Sequence, residues 1–349
     1  MEPTLKISVK ASPLGTPISS DSANACLSPR PIETIPHSVY ESAAKHIRSQ
    51  LSNSSLPSVA LLCGKGLQGI SEKLEGKITE IPYAEIPGFA LSTSVKTSTG
   101  RLVFGEISGT SVACIVGRCH FYEGYSMKQI TFPIRVLALV GVRTLLVTTP
   151  VSGIAAGLDL GDIVVVKDHI SLPTLAGLNP LIGPNFEKLG PRMPSMYNAY
   201  TFSLRKLAFL AFLEDEVLQK KQFRMREAVY CYTTGPSSET RAECLALRAL
   251  GAEVVGSSTV PEVLVAHHAG LSVLCLGLVT NVAAQGAEPS AEEAARAAMA
   301  GTKLATPKQS ALAMASEDDD ILARKASVKK GSQRPSDLHR LIGLILERL

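Results

Sequence analysis

Although the chain has seven cysteines, at 26, 63, 114, 119, 231, 244 and 275, no two of them form a CxxC pair. An odd number, lying mostly inside apolar runs, argues against a disulfide framework and implies reduced thiols, as expected of a cytoplasmic protein. No apolar run reaches about 18 residues, so no membrane partner is expected. The opening residues MEPTLKISVKASPLGTPISS lack the apolar core of a signal peptide. No spacing of His, Cys, Asp or Glu suggests a metal site. Basic residues gather into no arm, and a net charge of +4 is spread thinly, so no nucleic-acid partner is expected.

What is present is the composition of a folded globule, 45% hydrophobic and 19% charged over 349 residues. Residues 1–35 are rich in Ser, Pro, Thr and Ala without a period and read as a disordered N-terminal extension. A domain is expected over 36–308. A C-terminal extension, 309–349, carries the pattern Leu338, Leu341, Ile342, Ile345 and Leu349 of a terminal amphipathic helix, to dock on the domain or recruit a partner.

Within the domain, short β-branched runs at 58–63, 101–107, 111–117, 143–149, 162–167, 228–233, 252–256 and 272–280 alternate with helical patterns. The helices are expected near 37–51, 125–141, 198–221, 239–250, 260–270 and 290–305. The fold class is therefore α/β: a single domain with a mixed, largely parallel twisted sheet surrounded by helices. In such sheets ligands bind at loops leaving the C-terminal ends of strands.

Four segments follow strand ends. Gly64-Lys65-Gly66-Leu67-Gln68-Gly69 is a glycine turn whose amides suit an anion, though glycines at a tight turn are more often structural. Gly117–Tyr125 sets Arg118, His120, Tyr122 and Glu123 close together; the guanidinium fork matches phosphate. Thr234–Thr240 carries Glu239, which serves either a ligand or the following helix dipole. Gly256–Glu262, with Ser257 and Ser258, and Thr280-Asn281 complete the set. Ser or Thr before Val-Pro-Glu equally fits a helix N-cap.

Jointly, GRCHFYEGY (117–125), TFPIRVLALVGV (131–142), LGDIVVVKDHISLP (160–173), NPLIGPN (179–185), TGPSSETRAEC (234–244) and GSSTVPEVLVAHHAGL (256–271) resemble the trimeric purine nucleoside phosphorylase family. The resemblance implies the nucleoside phosphorylase fold and phosphorolysis of inosine- or guanosine-type (deoxy)nucleosides to free base and pentose 1-phosphate, in purine salvage. It implies a homotrimer that uses no cofactor, inorganic phosphate being a substrate. Arg118, His120 and Ser258 match phosphate contacts, with Lys65 standing where the family carries a serine. Tyr122 matches the ribose-contacting tyrosine, Glu239 the carboxylate accepting from purine N1–H, and Asn281 the amide donating to N7. Asn281, Glu239 and His120 are thus the expected catalytic groups, and Tyr122, Glu239, Ser257 and Asn281 the nucleoside-binding set.

The departures concentrate in the same pocket. Ser238 replaces an aromatic, Ser257 a methionine and Val282 a lysine; Pro150–Gly153 replaces an Ala-Ala-Gly-Gly loop. A family histidine is missing at 96–99, and a late one has Ala294 or Ala295 in its place. The aromatic that a neighbouring subunit lends to the sugar pocket matches Leu189. Two readings follow: a working phosphorylase with a more open, more polar pocket, or a catalytically impaired member that binds a ligand or partner. A dinucleotide-dependent dehydrogenase is the weakest reading.

Overall fold

The computed structural model describes residues 34–51, 55–64, 67–91, 100–221, 223–283, 290–301 and 334–349. Residues 1–33, Lys65, the 96–99 stretch and the whole segment 302–333 lie outside them.

Short apolar runs become strands because both their faces are covered. All four residues of β1 (Val59–Leu62) are buried. Around it stand β2 (Glu75–Pro82), β3 (Arg101–Ile107), β4 (Thr110–Val116), β5 (Thr144–Gly153), β6 (Ile163–Ser171), β7 (Met225–Tyr232), β8 (Val254–Gly256) and β9 (Ser272–Val282). The sheet order is β2-β3-β4-β1-β5-β8-β7-β6-β9, and β5 also pairs with β9. The last five strands therefore close on themselves. Pairing is parallel at β1–β4, β1–β5, β5–β9, β6–β7 and β7–β8, and antiparallel elsewhere. The expected mixed sheet is found.

The helices are α1 (His37–Gln50), α2 (Met127–Val140), the single turn α3 (Leu172–Leu175), α4 (Phe202–Glu214), α5 (Glu216–Gln219), α6 (Arg241–Ala249), α7 (Val260–His268), α8 (Ala291–Met299) and α9 (Pro335–Leu346). On one side of the sheet α1, α2 and α7 share a core through Ile47, Phe132, Leu137 and Val263. On the other side α4 and α9 pack through Ala208, Ala211, Leu338, Leu341, Ile342 and Ile345.

The terminal helix docks on the domain, as one of its two expected roles required. Leu349 is the exception to its pattern: α9 ends at Leu346, and Leu349 is half exposed. His339 of α9 reaches back to the segment after β1, its Nε2 3.3 Å from the Leu67 carbonyl oxygen. Replacing the fully buried Leu341 by alanine is expected to destabilise the domain by about 2–5 kcal/mol, because lost transfer energy and a new cavity add. Urea denaturation checks this; a change under about 0.5 kcal/mol would mean that α9 unfolds separately from the rest.

Candidate active site

The glycine turn after β1 opens a six-residue 3-10 helix, Gln68–Lys73, and not an α-helix. The spelling G-x-G-x-x-G thus lacks the helix whose N-terminus would hold a dinucleotide pyrophosphate. Gly64 donates its amide to Thr148 Oγ1 at 3.0 Å, and a Cβ there would stand 2.6 Å from the Thr148 carbonyl oxygen. Only glycine lets this loop lie so close to β5. Lys65 lies outside the described residues.

Arg118 leaves β4 through Gly117, whose φ of +95° turns the chain. The guanidinium is almost fully buried and points into the closed strands. Its Nη2 and Nε both donate to Glu262 Oε1, at 2.7 and 3.2 Å, and Nη2 stands 3.5 Å from Thr259 Oγ1. Burial works to lower the Arg118 pKa, and the Glu262 carboxylate overcomes it, so the guanidinium is held above its ordinary value. Glu262 Oε2 is buried without a hydrogen-bond partner among the described residues. Three of the fork's five donors are therefore engaged, two by Glu262 and one weakly by Thr259, and Nη1 makes no hydrogen bond among the described residues.

Glu262 is the functional side chain that sequence reasoning missed. The readable signal was a lone carboxylate inside an otherwise apolar helix, VPEVLVA, where a buried charge requires a partner.

His120 begins the short turn Phe121–Glu123. Its Nδ1 lies 2.8 Å from Glu123 Oε1, and its backbone amide donates to the same oxygen at 3.1 Å. The ring stacks on Tyr122 with centroids 4.8 Å apart. Burial lowers the His120 pKa and nearby Arg118 adds to this, against Glu123. His120 is therefore a neutral ring near pH 7, a hydrogen-bonding group more than a cation.

His169, His268 and His339 are depressed as well, in each case chiefly by burial. A depressed histidine contributes stability that is complete above the unfolded value of about 6.5 and is lost as pH falls through the folded value. The urea midpoint is accordingly expected to be flat near pH 7.5 and to drop between pH 6.5 and 5.5. A midpoint that rises on acidification would contradict these assignments.

The bland readings of the remaining segments, a helix-start charge and a helix N-cap, are met only in part. Helix α6 is capped by Thr240 and Glu243 in a reciprocal box, the Glu243 amide donating to Thr240 Oγ1 at 3.2 Å and Glu243 Oε2 accepting from the Thr240 amide at 2.6 Å. Glu239 is left outside the helix, where it accepts from the Thr233 hydroxyl at 2.8 Å. At α7 the N-cap residue is Thr259, and its side chain makes no cap bond. Thr259 instead sits at φ +81°, fully buried, an arrangement costing on the order of 1–3 kcal/mol. Ser258 Oγ is 3.4 Å from Thr259 Oγ1, and the Ser258 carbonyl accepts from Tyr230 OH at 3.0 Å.

Asn281 owes its direction to a β-bulge. Along β5–β9 the register runs Val151↔Val279 and then Ser152↔Asn281, skipping Thr280. Asn281 Nδ2 donates to Ser152 Oγ at 3.3 Å, and both side chains line a cavity of about 190 Å³ with Ser238, Glu239 and Cys244. A second cavity, about 280 Å³, lies between Leu172, Thr233 and α6 and shares Ser238 and Glu239 as walls. The pair reaches the ~300–1,000 Å³ usual for small-molecule sites.

The structure thus brings Glu239 and Asn281 to one cavity, and Arg118, Ser258 and Glu262 to one buried cluster. The two groups border different cavities, the space beside Arg118 measuring about 20 Å³. They meet through Gly235, where a Cβ would stand 3.0 Å from Ser257 Oγ and 3.3 Å from Tyr122 Cδ1. Tyr122 and Ser257 therefore span the gap between the anion readers and the base readers.

Two expectations about flanking residues change. Residues 150–153 form no loop; they are the end of β5, which continues through Pro150 because β9 and β8 pair beyond it. Leu189 is buried in its own core, whereas Met193, four residues on, is 84% exposed. Ala294 and Ala295 stand exposed on α8.

The profile of the Phosphorylase superfamily matches residues 59–312. This chain belongs to that family. Among phosphorylase-superfamily proteins, purine nucleoside phosphorylase of Rattus norvegicus is 45% identical over 242 residues, 69% of this chain and 81% of the relative. Purine nucleoside phosphorylase 1 of Geobacillus stearothermophilus is 42% identical over 244 residues, covering 70% and 84%. The crystal structure of Schistosoma mansoni purine nucleoside phosphorylase in complex with inosine superposes with a TM-score of 0.74 at 34% identity, covering 91% of this chain and 98% of that one. The fold is accordingly the nucleoside phosphorylase fold. Among the described residues no group of three or more His, Cys, Asp or Glu is placed to hold a metal ion.

Proposed function

We propose that this chain is a purine-nucleoside phosphorylase. Inorganic phosphate attacks C1′ of an inosine- or guanosine-type nucleoside, the glycosidic bond breaks, and free base and pentose 1-phosphate leave. The observation that carries this reading is the placement of Glu239 and Asn281 on one cavity, Glu239 freed from capping duty by Thr240 and Glu243. A carboxylate there accepts from purine N1–H, and the Asn281 amide donates to N7 as negative charge moves onto the departing ring. Asn281 is the group whose contact strengthens in the transition state, so it acts mainly on kcat.

Arg118 through Nη1, neutral His120 and Ser258 take the phosphate, with Lys65 as a further cation. Tyr122 and Ser257 flank the sugar between the two groups. Phosphate is a substrate and no cofactor enters the scheme. A cytoplasmic setting fits the free thiols at 63, 114, 119, 231, 244 and 275.

A homotrimer is part of the proposal. Leu175, Met193 and Tyr197 are 82%, 84% and 93% exposed on the stretch after β6, and such apolar side chains on one segment suit a subunit contact. Met193 and Tyr197 are the most exposed of the three.

One observation favours the alternative, a catalytically impaired member that binds ligand without turning it over. Two donors of Arg118 are already spent on Glu262. A progress curve of hypoxanthine release from inosine, with and without phosphate, decides. Phosphate-dependent release supports the enzyme; thermal stabilisation by phosphate or inosine with no release supports the alternative.

A further inference from the structure

Helix α2 turns two faces to two different cavities. Gln129, Ile130, Pro133 and Ile134 border the small space beside Arg118. Lys128 and Arg135, two turns apart on another face, border a cavity of about 30 Å³ closed by His37, Tyr40, Asn185 and Phe186. Arg135 is 92% buried, being 8% exposed. Among the described residues its guanidinium makes no hydrogen bond and has no carboxylate within ion-pair distance. Burial pushes its pKa below the ordinary value, and only Tyr40 works against this.

The charges around it have the same sign. His268 is depressed by burial and then by Arg135 itself, with Arg192 adding to the effect against a backbone contact at Pro191. Arg192 spends Nη1 on the Leu181 and Gly183 carbonyls, at 3.1 and 2.6 Å, on the segment that walls the cavity. The acid on the facing helix, Glu41, is bonded to Lys188 at 2.6 Å. Asn185 is fixed at both ends, to the Gly190 carbonyl and to His268. The walls are stiff as well: His37 stacks on Phe186 with centroids 4.0 Å apart, and the exposed His37 and Pro184 form the rim.

A buried guanidinium without a counter-charge is costly, and a planar fork facing a small polar cavity is complementary to an oxyanion. We propose that the cavity at Arg135 is a second anion site, separate from the phosphorylase centre, which binds one small oxyanion group, the carboxylate or the tetrahedral oxyanion of a small ligand. Its volume suits one or two waters or the oxygens of such a group, not a nucleoside. The inference does not depend on the catalytic reading, because none of its residues belongs to that site.

The test is thermal melting of the full chain in sodium sulfate and, separately, sodium acetate, each against sodium chloride at equal ionic strength. The Arg118→Met background removes the guanidinium of the proposed phosphate site and so weakens its response. In that background sulfate or acetate is expected to raise the melting temperature beyond chloride, and adding Arg135→Met is expected to abolish the increment. Which of the two salts acts tells a tetrahedral anion from a carboxylate. The single Arg135→Met variant is expected to melt at or above the wild type in dilute chloride, since it removes an uncompensated buried charge.

Arg135→Lys keeps the charge without the fork and should need at least tenfold more oxyanion for half its effect. An oxyanion response in the Arg118→Met background that survives the addition of Arg135→Met overturns the proposal. So does a loss of stability on Arg135→Met that is the same in chloride, sulfate and acetate, which would make Arg135 a packing residue only.

Discussion

Truncating Glu262 to alanine is expected to lower stability by about 3–5 kcal/mol, among the largest effects of any single substitution in this chain. The loss comes from what remains. Arg118, with 4% of its side chain exposed, would keep its charge in the interior with neither of its two strong hydrogen bonds. Glu262→Gln retains an acceptor at the same place and should cost less. Because a dianion can replace the missing carboxylate as a partner for Arg118, phosphate should restore more stability to Glu262→Ala than to the wild type. Urea denaturation with and without phosphate measures both. A loss below about 1 kcal/mol, or equal phosphate responses, would mean that the ion pair does not hold Arg118 in place.

Catalysis is expected to respond most to Asn281 and Glu239. Removing a donor aimed at developing charge typically costs a factor of about 10²–10³ in kcat. Asn281→Ala should therefore lower kcat for inosine by that factor while leaving the KM for phosphate within about twofold. Glu239→Ala should lower kcat/KM similarly and also raise the nucleoside KM, since the carboxylate contacts the base before and during bond breaking. Steady-state kinetics with inosine and phosphate varied in turn separate the two. If Asn281→Ala raises the phosphate KM and spares kcat, the amide does not face the leaving base.

These expectations were legible to different degrees in the amino-acid order. Strand cores such as Arg101–Ile107 stood out because continuous burial selects continuous apolar runs. β2 did not, since its residues Glu75–Pro82 are polar and lie along the sheet edge, where no apolar alternation is imposed. The continuation of β5 through Pro150 was hidden because proline ordinarily ends a ladder; pairing with β8 and β9 on either side is a tertiary effect. The direction of Asn281 depends on a bulge that no local pattern announces. Arg118, His120 and Glu239 were visible as residues. That Arg118 is bound to Glu262, 144 positions away, is a fact of folding geometry. That Leu189 packs inward while Met193 stays exposed was not legible, because which apolar residue of such a segment turns inward is decided by packing.

The contact between His339 and the Leu67 carbonyl has a bearing on how the molecule is made. It joins positions 272 apart, and the core it borders mixes β1, β3 and β4 with the last helix. On a ribosome, the early strands emerge long before α9 exists to cover them, so one side of the sheet is only partly covered, by α4, until α9 has been made. Topologies of such long sequence separation assemble slowly and expose apolar surface meanwhile. A message truncated before codon 335 would consequently yield chains prone to aggregate, even though every residue of the proposed catalytic site had been translated.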